Sequence, residues 1–122
     1  MFELFKKKYK LISMNYIIRK NDKKIKIFGS NFAKMYKDSC KIIYEGKKYN
    51  LTEYFKLKNN ENKLLEIKLF GILNITDLSG MFEGCSLLLS LNNIEFIDTT
   101  DTTSMESMFQ ECSSLKELIL IL

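Results

Sequence analysis

The sequence predicts an α/β fold: a short β/α solenoid of 27-residue repeats behind an N-terminal β-rich cap of ββαββ order. Three observations predict it. One unit recurs in the C-terminal half, β-prone runs separated by turn residues fill the N-terminal half, and the charge changes sign between the halves. Residues 1–70 carry a net charge of +11 and residues 71–122 a net charge of −7. This split indicates two substructures with different surfaces.

Composition bounds the class of protein before any motif is considered. The 122 residues correspond to one domain, and 46% of them are apolar. No apolar run reaches the roughly 18 residues of a transmembrane helix. The absence of histidine excludes histidine-based triads, general bases and zinc ligands. An odd count of three cysteines, Cys40, Cys85 and Cys112, predicts reduced buried thiols and, with no signal peptide, favours the cytoplasm.

The N-terminal elements follow from local signals. Residues 1–14 are predicted to be a weakly ordered extension and residues 15–50 to form the cap. The glycine at position 46 supplies the positive φ that a tight hairpin turn needs. The predicted cap elements, in order, are a hairpin of Tyr16–Arg19 with Lys24–Phe28, a helix at Phe32–Tyr36, and a hairpin of Cys40–Tyr44 with Lys48–Leu51.

An internal repeat organises the C-terminal half. Residues 75–91 align without a gap with residues 102–118 and share seven identities. Apolar residues in each copy recur at i, i+3, i+4 and i+7, which predicts one face of a short helix. The identical pairs are Thr76/Thr103, Met81/Met108, Phe82/Phe109, Cys85/Cys112, Ser86/Ser113, Leu88/Leu115 and Leu91/Leu118.

A strand is predicted after each helix. Leu88 to Leu91 and Leu115 to Leu118 have the Leu-x-x-Leu spacing of a leucine-rich-repeat strand, and Leu120 extends the second. The predicted solenoid therefore spans residues 51–122, with a degenerate first repeat at 51–69, a full repeat at 75–101 and a partial last repeat at 102–122.

The Met-Phe-x-x-Cys-Ser core of both copies, Met81 to Ser86 and Met108 to Ser113, resembles the BspA-like leucine-rich-repeat family. Members of that family are found as bacterial surface proteins and are expanded in protists. The resemblance covers about residues 50–122. It implies a repeat protein that binds other macromolecules, often at a cell surface, with no catalytic residues to carry over.

These observations predict a non-catalytic protein-binding module with no catalytic, metal-binding or cofactor-binding residues. The outward positions of the predicted strands are the expected contact residues: Leu89, Ser90, Asn92, Lys116 and Glu117. The apolar end is a predicted edge for self-association into a homo-oligomer: Leu118, Ile119, Leu120, Ile121 and Leu122.

The alternative function is binding of nucleic acid or an anionic surface through residues 1–70. Eighteen basic residues lie there, interleaved with aromatic residues. Nucleic acid is disfavoured as a partner because only Arg19 is an arginine, whereas base and phosphate recognition favours guanidinium forks.

Overall fold

The computed structural model describes residues 11–58, 63–94 and 105–119. Within these residues, two β-sheets and one short α-helix enclose a common core. The strands are β1 (Ile12–Ile17), β2 (Lys24–Lys26), β3 (Lys41–Tyr44), β4 (Lys47–Asn50), β5 (Tyr54–Lys56), β6 (Leu64–Phe70), β7 (Leu88–Asn92) and β8 (Glu117–Ile119); helix α1 spans Ser30–Tyr36, and a 3-10 turn spans Ile72–Asn74.

The larger sheet has six strands in the order β4-β3-β6-β1-β7-β8, and β2 pairs with β5 in a separate two-stranded sheet. All neighbours in the larger sheet are antiparallel except β7 and β8, which are parallel. Strand β1 lies in the middle of this sheet, between β6 and β7. Its residues Ile12, Met14 and Tyr16 alternate with Ser13, Asn15 and Ile17, which gives the strand one fully buried face.

The β3–β4 hairpin confirms the sequence prediction for this segment. Tyr44 pairs with Lys47 across a two-residue turn in which Glu45 has φ 49° and Gly46 has φ 79°. Positive φ at both turn residues is the type I′ geometry, whose twist matches that of the strands. Helix α1 is also confirmed within two residues of its predicted start.

The prediction of an α/β solenoid behind a separate N-terminal cap is wrong. The protein is mostly antiparallel β-sheet with a single short helix in its described residues. The expected first hairpin does not form: β1 pairs with β6 and β7, while β2 pairs with β5. The strand of the expected first repeat, β6, runs antiparallel between β1 and β3 instead of stacking parallel on β7.

The predicted repeat helices are successive turns. Backbone N–H groups of Met81 and Cys85 donate to residues three positions earlier, and Met108 and Cys112 repeat those bonds. Gly80 and Gly84 have φ 62° and 78°, and their counterparts Ser107 and Glu111 have φ 58° and 63°. Because an α-helix needs negative φ throughout, these positions exclude helix in both copies. An i, i+3, i+4 and i+7 apolar pattern also fits successive four-residue β-turns, because Leu78 and Met81 begin and end one turn and Phe82 and Cys85 the next.

The 27-residue offset nevertheless sets the local register. In the β7–β8 pair, Ser90 lies beside Glu117 and Leu91 beside Leu118, each 27 residues apart. The N–H groups of Gly80, Phe82 and Gly84 donate to the carbonyls of Glu106, Met108 and Gln110 at 2.9, 3.0 and 2.9 Å. Equivalent turns of the two copies therefore lie against each other.

The core lies between the inner face of the larger sheet, helix α1, the two-stranded sheet and the repeat turns. A row of stacked aromatic rings crosses it. Ring-centroid distances are 5.4 Å from Phe32 to Phe28, 5.6 Å from Phe28 to Phe82 and 6.0 Å from Phe82 to Phe109. We call these four residues the aromatic row. Its two ends join helix α1 to the second repeat copy.

Candidate functional site

The outer face of the six-stranded sheet is the first candidate site. The core-facing residues of β1 share one cluster with Phe32, Ala33 and Tyr36 of helix α1, so the helix packs on the inner face. Within the described residues, α1 is the only α-helix. The outer face therefore has no helix over it in the part of the chain that is described.

Four uncharged polar residues form a strip on this face, across β1 and β7. Asn15 lies opposite Ser90 in the strand register, and Ser13 lies opposite Asn92. The Asn15 side-chain amide donates to the Ser90 hydroxyl at 3.2 Å. The Asn92 side-chain oxygen is shielded from solvent and has no hydrogen-bond partner among the described residues. We call Ser13, Asn15, Ser90 and Asn92 the polar strip.

Charged residues border the polar strip on the β6 side. Glu66 pairs in register with Asn15 and Lys68 with Ser13. The Lys68 ammonium and a Glu66 carboxylate oxygen are 3.7 Å apart, and both side chains are substantially exposed. An exposed pair of this kind contributes little to stability, so the fold does not depend on it.

The structure brings the predicted contact residues together at the β7–β8 boundary. Leu89, Ser90 and Asn92 lie in β7, and the exposed Lys116 donates its backbone N–H to the Leu89 carbonyl at 3.0 Å. Glu117 pairs with Ser90, and its side chain lies outside what the structure describes.

Sequence reasoning missed the other half of the strip, Ser13 and Asn15. The sequence placed Ser13 in the extension and Asn15 in the cap, yet both lie in the central strand β1. The apolar–polar alternation from Ile12 to Tyr16 is a signal that could have placed Ser13 and Asn15 together on one face of a strand, but it does not show that this strand pairs with β7.

The predicted self-association edge is described in part. Leu118 and Ile119 lie in β8, at one end of the strand order, with side chains outside the description. Leu120, Ile121 and Leu122 lie outside the described residues.

A cleft of about 790 Å³ is the second candidate site. It lies beside the β3–β4 hairpin and β5, and its walls include the first residue of β6. Phe55 packs edge-on against Tyr44 and Tyr49, with centroid distances of 5.0 and 6.0 Å. Burial is the main cause that raises the pKa of the Tyr44 hydroxyl, and a hydrogen bond with Glu45 adds to it.

Among the described residues, three lysines and one acid line the same cleft: Lys47, Lys56, Lys58 and Glu45. The ion pairs between described residues use other lysines, such as Lys26 with Glu53 at 3.3 Å. The cleft, which we call the aromatic–lysine cleft, therefore combines an apolar floor with a positive rim. It contains part of the aromatic and lysine pattern seen in residues 1–70.

The cysteines occupy packing positions. All three are free, Cys40 and Cys85 are buried, and Cys112 is half-buried and donates its thiol to the Phe82 carbonyl at 3.0 Å. Burial raises the pKa of the Cys40 thiol to about 11 and also raises the pKa of the Cys85 and Cys112 thiols. A thiol that stays protonated at neutral pH is a poor nucleophile.

A family model described as "Mycoplasma protein of unknown function, DUF285" matches residues 49–120, more than half of the chain. The chain belongs to this family. The match covers β5 to β8, and so both copies of the repeat, together with the end of β4. No curated protein and no solved structure matches the chain. No helix within residues 11–58, 63–94 and 105–119 is long and apolar enough to cross a membrane.

Proposed function

We propose that this member of the DUF285 family is a non-catalytic protein-binding module. Its contact surface is the polar strip, extended at the β8 side by Leu89, Lys116 and Glu117. The partner lies flat on the outer face of the six-stranded sheet and covers β1, β7 and β8.

One observation carries this proposal: adjacent strands present four serine and asparagine side chains in register, without a charge among them. Charged residues make up 28% of the chain. The centres of protein interfaces are depleted in charge, and serine and asparagine offer adaptable hydrogen bonds to a partner.

The thiol chemistry supports a binding role over catalysis. Nucleophilic catalysis by cysteine needs the thiolate, and burial favours the protonated thiol at Cys40 and Cys85. The resemblance of the repeat core to BspA-like proteins adds support for macromolecule binding, and it does so without any assumption about a solenoid.

Site-directed photo-crosslinking is the first experiment. A photoreactive amino acid replaces Ser90 in one sample and Ser86 in a matched control, since Ser86 is an exposed serine in the turn before β7. Protein crosslinked from position 90 but not from position 86 is the expected result. Equal crosslinking from both positions would argue against the polar strip.

Affinity measurements on the purified partner complete the test. Ser90→Lys places a charge in the polar strip and should weaken binding about tenfold, whereas Ser86→Lys should leave the Kd within about twofold. Binding that single-stranded DNA displaces and that high salt abolishes would instead support the alternative function through residues 1–70.

A further inference from the structure

We propose that the aromatic–lysine cleft, together with the free edge of β4, is a second binding site, which takes an extended acidic peptide segment of a protein partner. The peptide adds to β4 as an antiparallel or parallel strand. Its acidic side chains meet the lysines of the cleft rim. This site is independent of the polar strip and lies at the opposite end of the strand order.

The backbone of β4 has hydrogen-bonding groups that can pair with an added strand. Among the described strands, β4 lies at the edge of the sheet and pairs only with β3. In an antiparallel hairpin alternate residues exchange hydrogen bonds with the partner, and Tyr44 and Lys47 form the first such pair beside the turn. Consequently the N–H and C=O groups of Lys48 and Asn50 point away from β3. A new strand would find these two residues' backbone groups available.

The cleft lies on the face that an added strand would share with Tyr49. Ile42 and Tyr49 are opposite each other in the hairpin, so their side chains lie on the same face. Tyr49 is 37% exposed, Tyr54 44% and Leu64 51%, and all three line the cleft. Alternate side chains of an added strand would cover these exposed apolar surfaces.

Charge complementarity selects an acidic partner. Every residue of β4 is exposed, and among the described residues of the cleft lining Lys47, Lys56 and Lys58 stand against one acid, Glu45. None of these three lysines forms an ion pair with a described residue within 4.0 Å. Lysines on an open edge repel a second basic strand, including another copy of this edge, and attract an acidic one.

Ring geometry favours a peptide over a nucleic acid strand. Bases stack on open aromatic faces. Here the Phe55 ring meets Tyr44 and Tyr49 at interplanar angles of 60° and 89°, and the Lys24 ammonium lies 4.5 Å from the Tyr54 ring centre. The rings therefore contact one another or a lysine instead of forming a parallel stacking platform.

Fluorescence anisotropy on the full chain tests the proposal with a synthetic peptide that repeats glutamate–threonine–valine–threonine, so that one face of the extended strand carries glutamate and valine in turn. Binding of this peptide is expected, with about tenfold weaker binding of the peptide in which lysine replaces each glutamate. A third peptide, methylated on alternate backbone nitrogens along the edge that faces β4, should also bind about tenfold more weakly because it cannot complete the strand pairing. These controls leave the protein unchanged.

Protein variants locate the site. Lys47→Glu with Lys56→Glu should weaken binding of the acidic peptide about tenfold, whereas Lys34→Glu with Lys37→Glu on exposed positions of α1 and its C-terminal cap should not. NMR amide shifts of Lys48 and Asn50 should change on binding. No binding of the acidic peptide would overturn the proposal, as would equal affinity for the methylated peptide or tighter binding of single-stranded DNA or anionic vesicles.

Discussion

The lysine-rich side of the molecule, residues 24–58 and 63–70, and the repeat side, residues 71–94 and 105–119, satisfy their backbone hydrogen bonds in different ways. On the lysine-rich side, antiparallel strands satisfy the backbone hydrogen bonds, and β3 lies between β4 and β6. On the repeat side, turns satisfy them within each copy, and N–H groups of one copy donate to carbonyls of the next.

This difference shows where each side gets its stability. Antiparallel hairpins are closed by local turns such as Glu45–Gly46, whereas the repeat copies depend on each other and on the rest of the core. The aromatic row and Tyr36 connect the two sides. We therefore expect substitutions at these connections to lower the free energy of unfolding more than substitutions within either side.

The largest loss of stability is expected from substitution of Phe82, which is fully buried between Phe28 and Phe109. Phe82→Ala should lower the free energy of unfolding by about 3–5 kcal/mol, because it removes buried apolar surface and leaves a cavity. Urea denaturation measures the change. Phe70→Ala, on the half-buried outer face of β6, is the control and should cost about 1 kcal/mol. Equal losses would show that the aromatic row does not connect the two sides.

Gly29 is expected to show the next largest effect. Its φ of −62° suits any residue, but an added Cβ would collide with the Gly80 carbonyl oxygen of the first repeat copy. Gly29→Ala should destabilise the protein by about 2–3 kcal/mol. Gly46→Ala meets no atom within 4 Å but has φ 79°, so about 1 kcal/mol is expected. The reverse order in thermal denaturation would contradict the close approach of α1 to the repeat turns.

Tyr36 forms the polar connection between the sides. Its hydroxyl accepts the backbone N–H groups of Thr76 and Asp77 at 3.1 and 2.8 Å. Tyr36→Phe should cost about 1–2 kcal/mol, because two part-buried donors lose their acceptor while the ring stays in place. Hydrogen exchange should accelerate at Thr76 and Asp77 and remain unchanged at Ile43. Unaltered protection at Thr76 and Asp77 would argue against this connection.

The smallest effect is a loss of stability at alkaline pH. The Cys40 pKa rises from 9.0 to about 11 on folding, so the unfolded chain releases this proton first as pH increases. The contribution of the protonated Cys40 thiol to the free energy of unfolding is therefore fully present below pH 9 and is lost between about pH 9 and 11. Urea denaturation at pH 8 and pH 10 should show a smaller decrease for Cys40→Ala than for the parent chain. An identical decrease would contradict the role of this thiol.

The proposed surfaces differ in how far the sequence could reach them. Ser90 and Asn92 follow from the repeat spacing, and the hairpin that bounds the cleft follows from Gly46 and its flanking β-prone runs. The contribution of Ser13 and Asn15 to the strip could not be predicted, because it depends on β1 pairing with a strand 75 residues away, as in the Asn15–Ser90 bond. The aromatic–lysine cleft needed the same long-range placement of β6 beside the hairpin.

The sequence by itself determined the local features: the alternation of β1, the β3–β4 turn, the burial of Cys40 and Cys85, and the 27-residue register of β7 and β8. Each depends on residue type and spacing over a short stretch or on direct repetition. Only the tertiary structure decided that β1 separates β6 from β7 and that the repeat copies form turns. Strand partners are chosen by the shared core rather than by neighbouring residues. In the second copy, positive φ occurs at Ser107 and Glu111. Serine and glutamate rarely adopt positive φ, so the sequence did not predict these turns.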